Sequence, residues 1–437
     1  MKLSKFSIIA LHLLIGFLLT IFNQFATIYS VLIIIVGTYY ILNNKDINNF
    51  YPIYFSIYIV GVEVLLRMAG AKVFWEFGKY SIVYFLIIGI LKKRISINFP
   101  SGILWYLLLL LPGVLLVPTD QLNIWRQDIS FNLSGSITLT VSAIYFFNTI
   151  INKSDLKEIF YYMSLPIIAM SIYNIFNMPD LSTYRFLPYS DAYTSGGYGP
   201  NQVSSIFGFG VGGLIVAQIL KLEINNSKIL DLLFIIIFSI MGLITFSRGG
   251  MLAVVISFSI SISYYLFRDQ KIINVISKSI ILFLGLLIAW YGIIQITDGV
   301  ILKRYGLVDS SSGKRFILDL TGRAEIYKAD IDIFSDYIFT GVGLGQANNL
   351  RVKYGYGQSA AAHTEYSRML AEHGILGLIS LIILFLTAIY FLFIPSPFYS
   401  KFLKIFFCTL AILTMGHSAM RLAMPCFIFG FLFCKYK

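Results

Sequence analysis

The chain is 437 residues long, 58% hydrophobic and only 12% charged, with a formal net charge of 33 − 21 = +12. Soluble globular proteins carry about 25% charged residues, so this composition excludes an ordinary water-soluble domain and asks for lipid as solvent. The basic excess is scattered over short connections, as membrane topology distributes Lys and Arg, and no nucleic-acid partner is expected.

Apolar runs of about 18 residues recur along the chain, each long enough to cross a hydrocarbon core of roughly 30 Å as a helix. They are continuous rather than alternating, which argues against a β-barrel. The N-terminal MKLSK leads into a first run with no convincing small-residue cleavage site. It reads as a retained span rather than a signal peptide. About fourteen spans are predicted, near residues 6–22, 27–42, 51–67, 79–91, 102–117, 133–151, 156–176, 203–220, 229–246, 250–267, 275–297, 366–394, 403–416 and 421–434. The run 366–394 is long enough to tilt or to extend beyond the bilayer.

Placing the N-terminus in the cytoplasm puts Lys2 and Lys5, Lys92 to Arg94, Lys153 and Lys157, Lys221 and Lys228, Arg268 and Lys271, Lys401 and Lys404, and Lys435 and Lys437 inside. These loops are short and nearly free of acids, which is the positive-inside pattern, with both termini cytoplasmic. The reading is an all-α polytopic transmembrane bundle. Residues 1–297 hold the first eleven spans, 298–365 form a long outer loop, and 366–437 return through C-terminal spans. A connection of that length is functional or disordered. Here RAEIYKADIDIFSDY (323–337) sets Ile326, Ile333, Phe334 and Tyr337 at helical spacing, so the loop is partly helical.

Two shorter outer loops hold Asp120, Arg126 and Asp128, and Arg185 with Tyr184, Tyr189, Tyr193 and Tyr198. These tyrosines suit sugar stacking or an interfacial aromatic belt equally. Cys408, Cys426 and Cys434 have no metal-ligand spacing, and neither metal nor cofactor is expected. Of four histidines, His12 suits packing inside the first span, and His373 before Gly374 suits a cation at a helix C-terminus. His417 occupies the outer turn between the last two spans. His363 lies where the long loop re-enters the membrane, ahead of a helix starting near Thr364. Arg248 sits in a Ser-Arg-Gly-Gly turn between apolar runs. An arginine drawn to a span centre costs roughly 2.5–3.5 kcal/mol, so it snorkels or meets an anion. Gly249 and Gly250 are expected to let that turn reverse. Arg323 opens the loop helix against its dipole, which a nearby acid or a phosphate would offset. Gly341-Val-Gly-Leu-Gly345 follows no strand and opens no helix, so it reads as a flexible turn rather than a nucleotide loop.

The order of SRGG (247–250), TGRAEIYKADIDIFSDYIFTGVGLGQ (321–346) and AHTEYSRMLAEHGILGL (362–378) resembles the O-antigen ligase and polymerase superfamily of bacterial envelope glycosyltransferases. The shared pattern falls on Gly322-Arg323, Gly341 to Gly345, His363, and Glu372 with Gly374 and Gly377. Thr364 stands where the family often has Asn. The resemblance covers residues 240–380. It implies a GT-C-like fold and an undecaprenyl-pyrophosphate-linked oligosaccharide donor at the periplasmic face of a bacterial inner membrane, with a chain-length regulator as an open partner. It implies metal-independent glycosyl transfer by His363, Arg248 and Arg323, the histidine with a pKa near working pH. Arg126, Arg185, Glu365, Arg368, Arg421 and Tyr198 are secondary substrate-binding candidates. Polymerase is the preferred activity. Ligation to lipid A-core and protein O-oligosaccharide transfer stay open, with a flippase as the alternative from another class.

Overall fold

The computed structural model describes residues 4–44, 50–93, 99–119, 122–147, 149–268, 272–306, 323–356 and 361–437. Lys2, Arg94, Asp120, Lys271, Thr321, Gly322 and much of the expected outer loop lie outside them.

The chain opens with α1 (Lys5–Ile21), α2 (Gln24–Asn43) and α3 (Tyr51–Met68). Then come α4 (Phe77–Lys93), α5 (Ser101–Leu108) and α6 (Leu122–Phe146). The middle holds α7 (Lys153–Asn177), α8 (Pro200–Ile219), α9 (Lys228–Leu243), α10 (Arg248–Arg268), α11 (Ile272–Ile296) and α12 (Val300–Tyr305). The last part holds α13 (Arg323–Asp336), α14 (Ala347–Leu350), α15 (Glu365–Phe393), α16 (Phe398–Ser418) and α17 (Ala423–Phe429). Among the described residues, seven helices are long and apolar enough to cross a membrane: α2, α3, α6, α7, α8, α15 and α16. Five shorter apolar helices accompany them. The all-helical, polytopic part of the expectation therefore holds.

The chain forms two compact units. One comprises Met1–Val73 with Ile151–Leu318, and the other Phe74–Ile150 with Asp319–Tyr436. In the first unit α7 packs on α1 and α3, and α8 on α9 and α10. Lipid tails give helices no hydrophobic reason to associate, so such contacts rely on small residues that let backbones approach. A Cβ on Gly16 would lie 2.4 Å from the Ala169 carbonyl oxygen, and one on Gly250 would lie 2.4 Å from Ser205 N. Gly250 is therefore a packing glycine inside the first turn of α10. The reversal before it is made by Phe246, a buried residue at φ 53, contrary to the expectation that Gly249 and Gly250 provide it. His12 meets its expected packing role. Its Nδ1 donates to the Ile8 carbonyl at 2.8 Å, and Tyr58 Oη donates to its Nε2 at 2.8 Å.

In the second unit α4 and α17 pack on α6, and α5 and α16 on α15. Two expected spans are reshaped. Residues 102–117 break after α5 into a 3-10 turn, Leu111–Val114, containing Pro112 and Gly113. The run expected as one tilted helix over 366–394 is two helical segments, because Gly374 takes φ 58, ψ −137. The carbonyls freed at that break accept from a neighbouring turn: Val342 N donates to Ala371 O and Gly343 N to Glu372 O, both at 3.0 Å. Gly341, Gly343 and Gly345 all have positive φ. A Cβ on Gly341 would lie 2.4 Å from the Glu372 backbone. The glycine-rich turn is thus a fitted clamp against the chain's own α15, rather than a free surface.

A prediction follows for the first unit. Gly250→Ala should lower stability by roughly 1–3 kcal/mol through overpacking. Gly292→Ala, where nothing lies within 4 Å, should be neutral or slightly stabilising. Thermal unfolding of the purified protein in detergent checks both.

Candidate functional site

The second unit concentrates charge in its interior. Arg368, 5% exposed on the first segment of α15, is ion-paired with Glu365 and Glu372, both buried on the same helix. Its remaining donors meet Asn132 of α6, at the side-chain oxygen (3.3 Å) and the carbonyl (3.2 Å). A second pair, Arg351 with Asp330 at 2.7 Å, is fully buried. Ser367 Oγ also donates to Asp330 at 2.6 Å. Burial pushes the Asp330 carboxyl up, and the Arg351 guanidinium pulls against it. Asp330 thereby ties α13 to the 351–354 turn through Arg351 and to α15 through Ser367, with Ile326, Ala329 and Ile333 buried on the same helix. Phe334 and Tyr337, expected on that face, are half-buried and exposed, because the face turns toward Arg351.

His363 stands just ahead of this cluster. Thr364 caps α15, its Oγ1 accepting from Tyr366 N at 3.2 Å, and Glu365 in the first turn suits the helix dipole. Arg421 holds the segment before the histidine, donating to the carbonyls of Ala361 (2.9 Å) and Ala362. His363 Nδ1 is buried and has no hydrogen-bond partner among the described residues. Burial, with the positive charges of Arg421, Arg323 and Arg351, holds its pKa down at about 4. The expectation of a pKa near working pH is therefore corrected, since lost water and three guanidiniums all disfavour imidazolium. His363 is a neutral imidazole at neutral pH, able to accept one hydrogen bond and donate another. His373 does stand at a helix end, the last residue before the break at Gly374, but it is buried against Gly113.

The structure brings together His363, Arg323, Arg421, Glu365 and Arg368. Glu365 and Arg368 spend their polar atoms on each other and on neighbours, and Arg421 binds backbone. Arg126 of α6 is exposed. A cavity at this place is lined by Asn132, Glu365, Arg368, Ala361, Met420 and Arg421, among others.

The first unit has its own polar cluster. Half-buried Arg248 donates to the Arg304 carbonyl at 3.1 Å. Arg304, 6% exposed, donates to the carbonyls of Phe246 (2.8 Å) and Pro188 (3.4 Å). Ser247 Oγ donates to Asn201 Oδ1 at 2.7 Å. The loop between α7 and α8 is fixed here by Phe186 stacked on Phe246 and by Tyr184 donating to Asp191. Arg185, Tyr189 and Tyr193 are exposed, and Tyr198 is half-buried.

Sequence reasoning passed over Arg304, Arg351, and the buried pairs Glu63–Arg67 and Glu76–Lys79, each at 2.7 Å. The last two carried a signal. Acids and bases three or four residues apart within an apolar stretch are expected to pair, and charges at membrane depth are functional or structural by default.

Fold and site together define a polytopic helical membrane protein with a buried ionic cluster beside an arginine-flanked histidine. The sequence model of a family described as O-antigen ligase matches residues 233–382, which places this part of the chain in the O-antigen ligase and polymerase superfamily. Its members are glycosyltransferase-like enzymes acting on polysaccharide. Arg248, Arg323 and His363 all lie within the matched stretch. No curated protein matches the chain.

Removing one partner of a buried ion pair strands the other charge at a cost of about 3–5 kcal/mol. Arg351→Ala and Arg368→Ala should each lose stability on that scale, and exposed Arg126→Ala should stay within about 0.5 kcal/mol of wild type. Unfolding in detergent measures all three.

Proposed function

We propose that the protein is a surface-polysaccharide polymerase that joins undecaprenyl-pyrophosphate-linked repeat units, with its active face periplasmic and its lipid-facing helices holding the carrier. The carrying observation is His363: a buried imidazole nitrogen without a partner among the described residues, within reach of Arg323 and inside the matched family region. The acceptor's hydroxyl oxygen attacks the anomeric carbon of the donor glycan. The bond from that carbon to the pyrophosphate oxygen breaks, and undecaprenyl pyrophosphate leaves with the electron pair. Such a leaving group needs charge stabilisation more than protonation. Arginine supplies it through its planar fork of donors. Arg323 takes this role beside His363. Arg248 is assigned to the pyrophosphate on the sequence resemblance. His363 accepts the hydrogen bond of the acceptor hydroxyl and takes its proton as the new bond forms, when that proton has become strongly acidic. A group held near pKa 4 is a weak base, so orientation is its larger contribution.

The description of the matched family favours a second reading, transfer of finished polymer to lipid A-core. Lipopolysaccharide from a deletion strain separates the two. Core bearing one repeat unit marks a polymerase, and free core with carrier-linked polymer marks a ligase.

His363→Ala should abolish long-chain polysaccharide at normal protein abundance, and normal chain length in that strain would sink the assignment. The pH profile supplies a second check. With the pKa lowered from 6.5 to about 4, the neutral, competent form persists as pH falls through 6.5 and is lost only near 4. Transfer activity in membranes should hold its plateau down to about pH 5, whereas a His-dependent inflection near 6.5 would count against this environment.

A further inference from the structure

A second set of polar atoms lies at the end of α16, just before a turn bonded to the segments flanking His363, and has no role in the chemistry above. His417 and Ser418 are the last two residues of α16. His417 Nδ1, His417 Nε2 and Ser418 Oγ are all buried without a hydrogen-bond partner among the described residues, as is His363 Nδ1. Buried polar atoms in native proteins are nearly always paired, with protein, water or ligand. Such atoms occur elsewhere among the described residues too, but these four fall on two segments that are tied to each other.

The backbone assembles it. Ala419, directly after Ser418, sits at φ 52, ψ −159, a conformation that L residues avoid unless their surroundings enforce it. Two contacts enforce it here. Met420 N donates to Glu365 Oε2 at 3.1 Å, and Arg421 grips the carbonyls of Ala361 and Ala362. The turn carrying His417 and Ser418 is thereby fastened to the segment carrying His363. Arg323 lies within electrostatic reach of both histidines, and a small cavity adjoins these segments, lined by Ala361, Ala362, Ala419 and Met420 and by neither histidine.

We propose that His417 and Ser418 form a second hydrogen-bonding edge next to His363, built for the hydroxyl groups of a sugar unit. The donor and acceptor count selects that class. A neutral imidazole offers one N–H and one lone pair, and a serine hydroxyl both donates and accepts. Vicinal sugar hydroxyls answer in kind. A phosphate, which only accepts, would leave the imidazole lone pair unmet. Arg421, the nearest placed cation on this turn, is engaged with backbone carbonyls, which also disfavours a phosphate here. The inference rests on the glycosyl-transfer reading and adds to it the element that grips the reacting sugar.

The test uses full-length protein in detergent and two probes: undecaprenyl pyrophosphate, and the free repeat-unit oligosaccharide released from the host polysaccharide. Wild type should bind both. His417→Ala and Ser418→Ala should each weaken oligosaccharide binding about tenfold and leave binding of the lipid pyrophosphate unchanged. His417→Gln, which keeps a donor and an acceptor, should recover part of the loss. That recovery separates a ligand contact from a packing role, and retained lipid binding shows that each variant is folded. Wild-type oligosaccharide affinity in both Ala variants would mean that only buried water meets these atoms, and would overturn the inference while leaving the transfer reading intact. A wild-type protein that binds neither probe would overturn both.

Discussion

Arg368 is a full positive charge buried in a chain that is 12% charged. Stranding such a charge away from water costs far more than a helix can recover by packing, so its surroundings must be built to meet it. Glu365 and Glu372 flank it at the i−3 and i+4 positions of the same helix, and Asn132 closes the shell from α6. The consequences spread outward. Two acids against one base leave a carboxylate oxygen of Glu365 able to accept Met420 N, which ties α15 to the turn after α16. The site's geometry depends on this one satisfied charge.

Gly374 is the second constraint. Without its positive φ, α15 would run straight, and the carbonyls of Ala371 and Glu372 would stay inside the helix ladder. Freed by the break, they receive Val342 and Gly343, and Ile375 N reaches Ile338 O at 2.6 Å. The turn between α13 and α14 is thereby clamped onto α15 just below the ion cluster. The clamp demands glycine at 341 and 374 because there the two backbones meet without room for a Cβ.

The helical, membrane-spanning character was legible because hydropathy runs report it directly. Where the reading fell short, the deciding information was not periodic. A long apolar run looks the same whether or not one glycine adopts φ 58, and so 366–394 was read as one span, although Gly374 after His373 carried the signature of a helix end. His363 was visible from its place at the end of a hydrophilic stretch. Its lowered pKa was not, because that needs Arg421, from a turn far along the chain, and the loss of surrounding water. Arg304 was missed for a related reason, since its partners are backbone carbonyls of Phe246 and Pro188, which leave no trace in residue type. Glu63–Arg67 and Glu76–Lys79 needed no structure, as their spacing alone predicts the pairs.

Satisfied polarity marks the ion cluster, and unsatisfied polarity marks the proposed sugar edge beside it. Arg368, Arg351, Asp330 and Glu365 are buried and bonded, and such groups organise a fold without offering anything to a ligand. His363, His417 and Ser418 carry buried atoms that the described chain does not meet, in a protein that elsewhere spends five side-chain and backbone contacts on one arginine. Motif reasoning ranked Glu365, Arg368 and Arg421 as substrate contacts because arginines and acids near a catalytic histidine usually are. Their hydrogen bonds place them one layer behind, holding the surface on which the unpaired histidines stand. In the proposed transfer the residues best suited to touch a sugar are therefore the uncharged ones, and burial together with the neighbouring guanidiniums keeps His363 neutral.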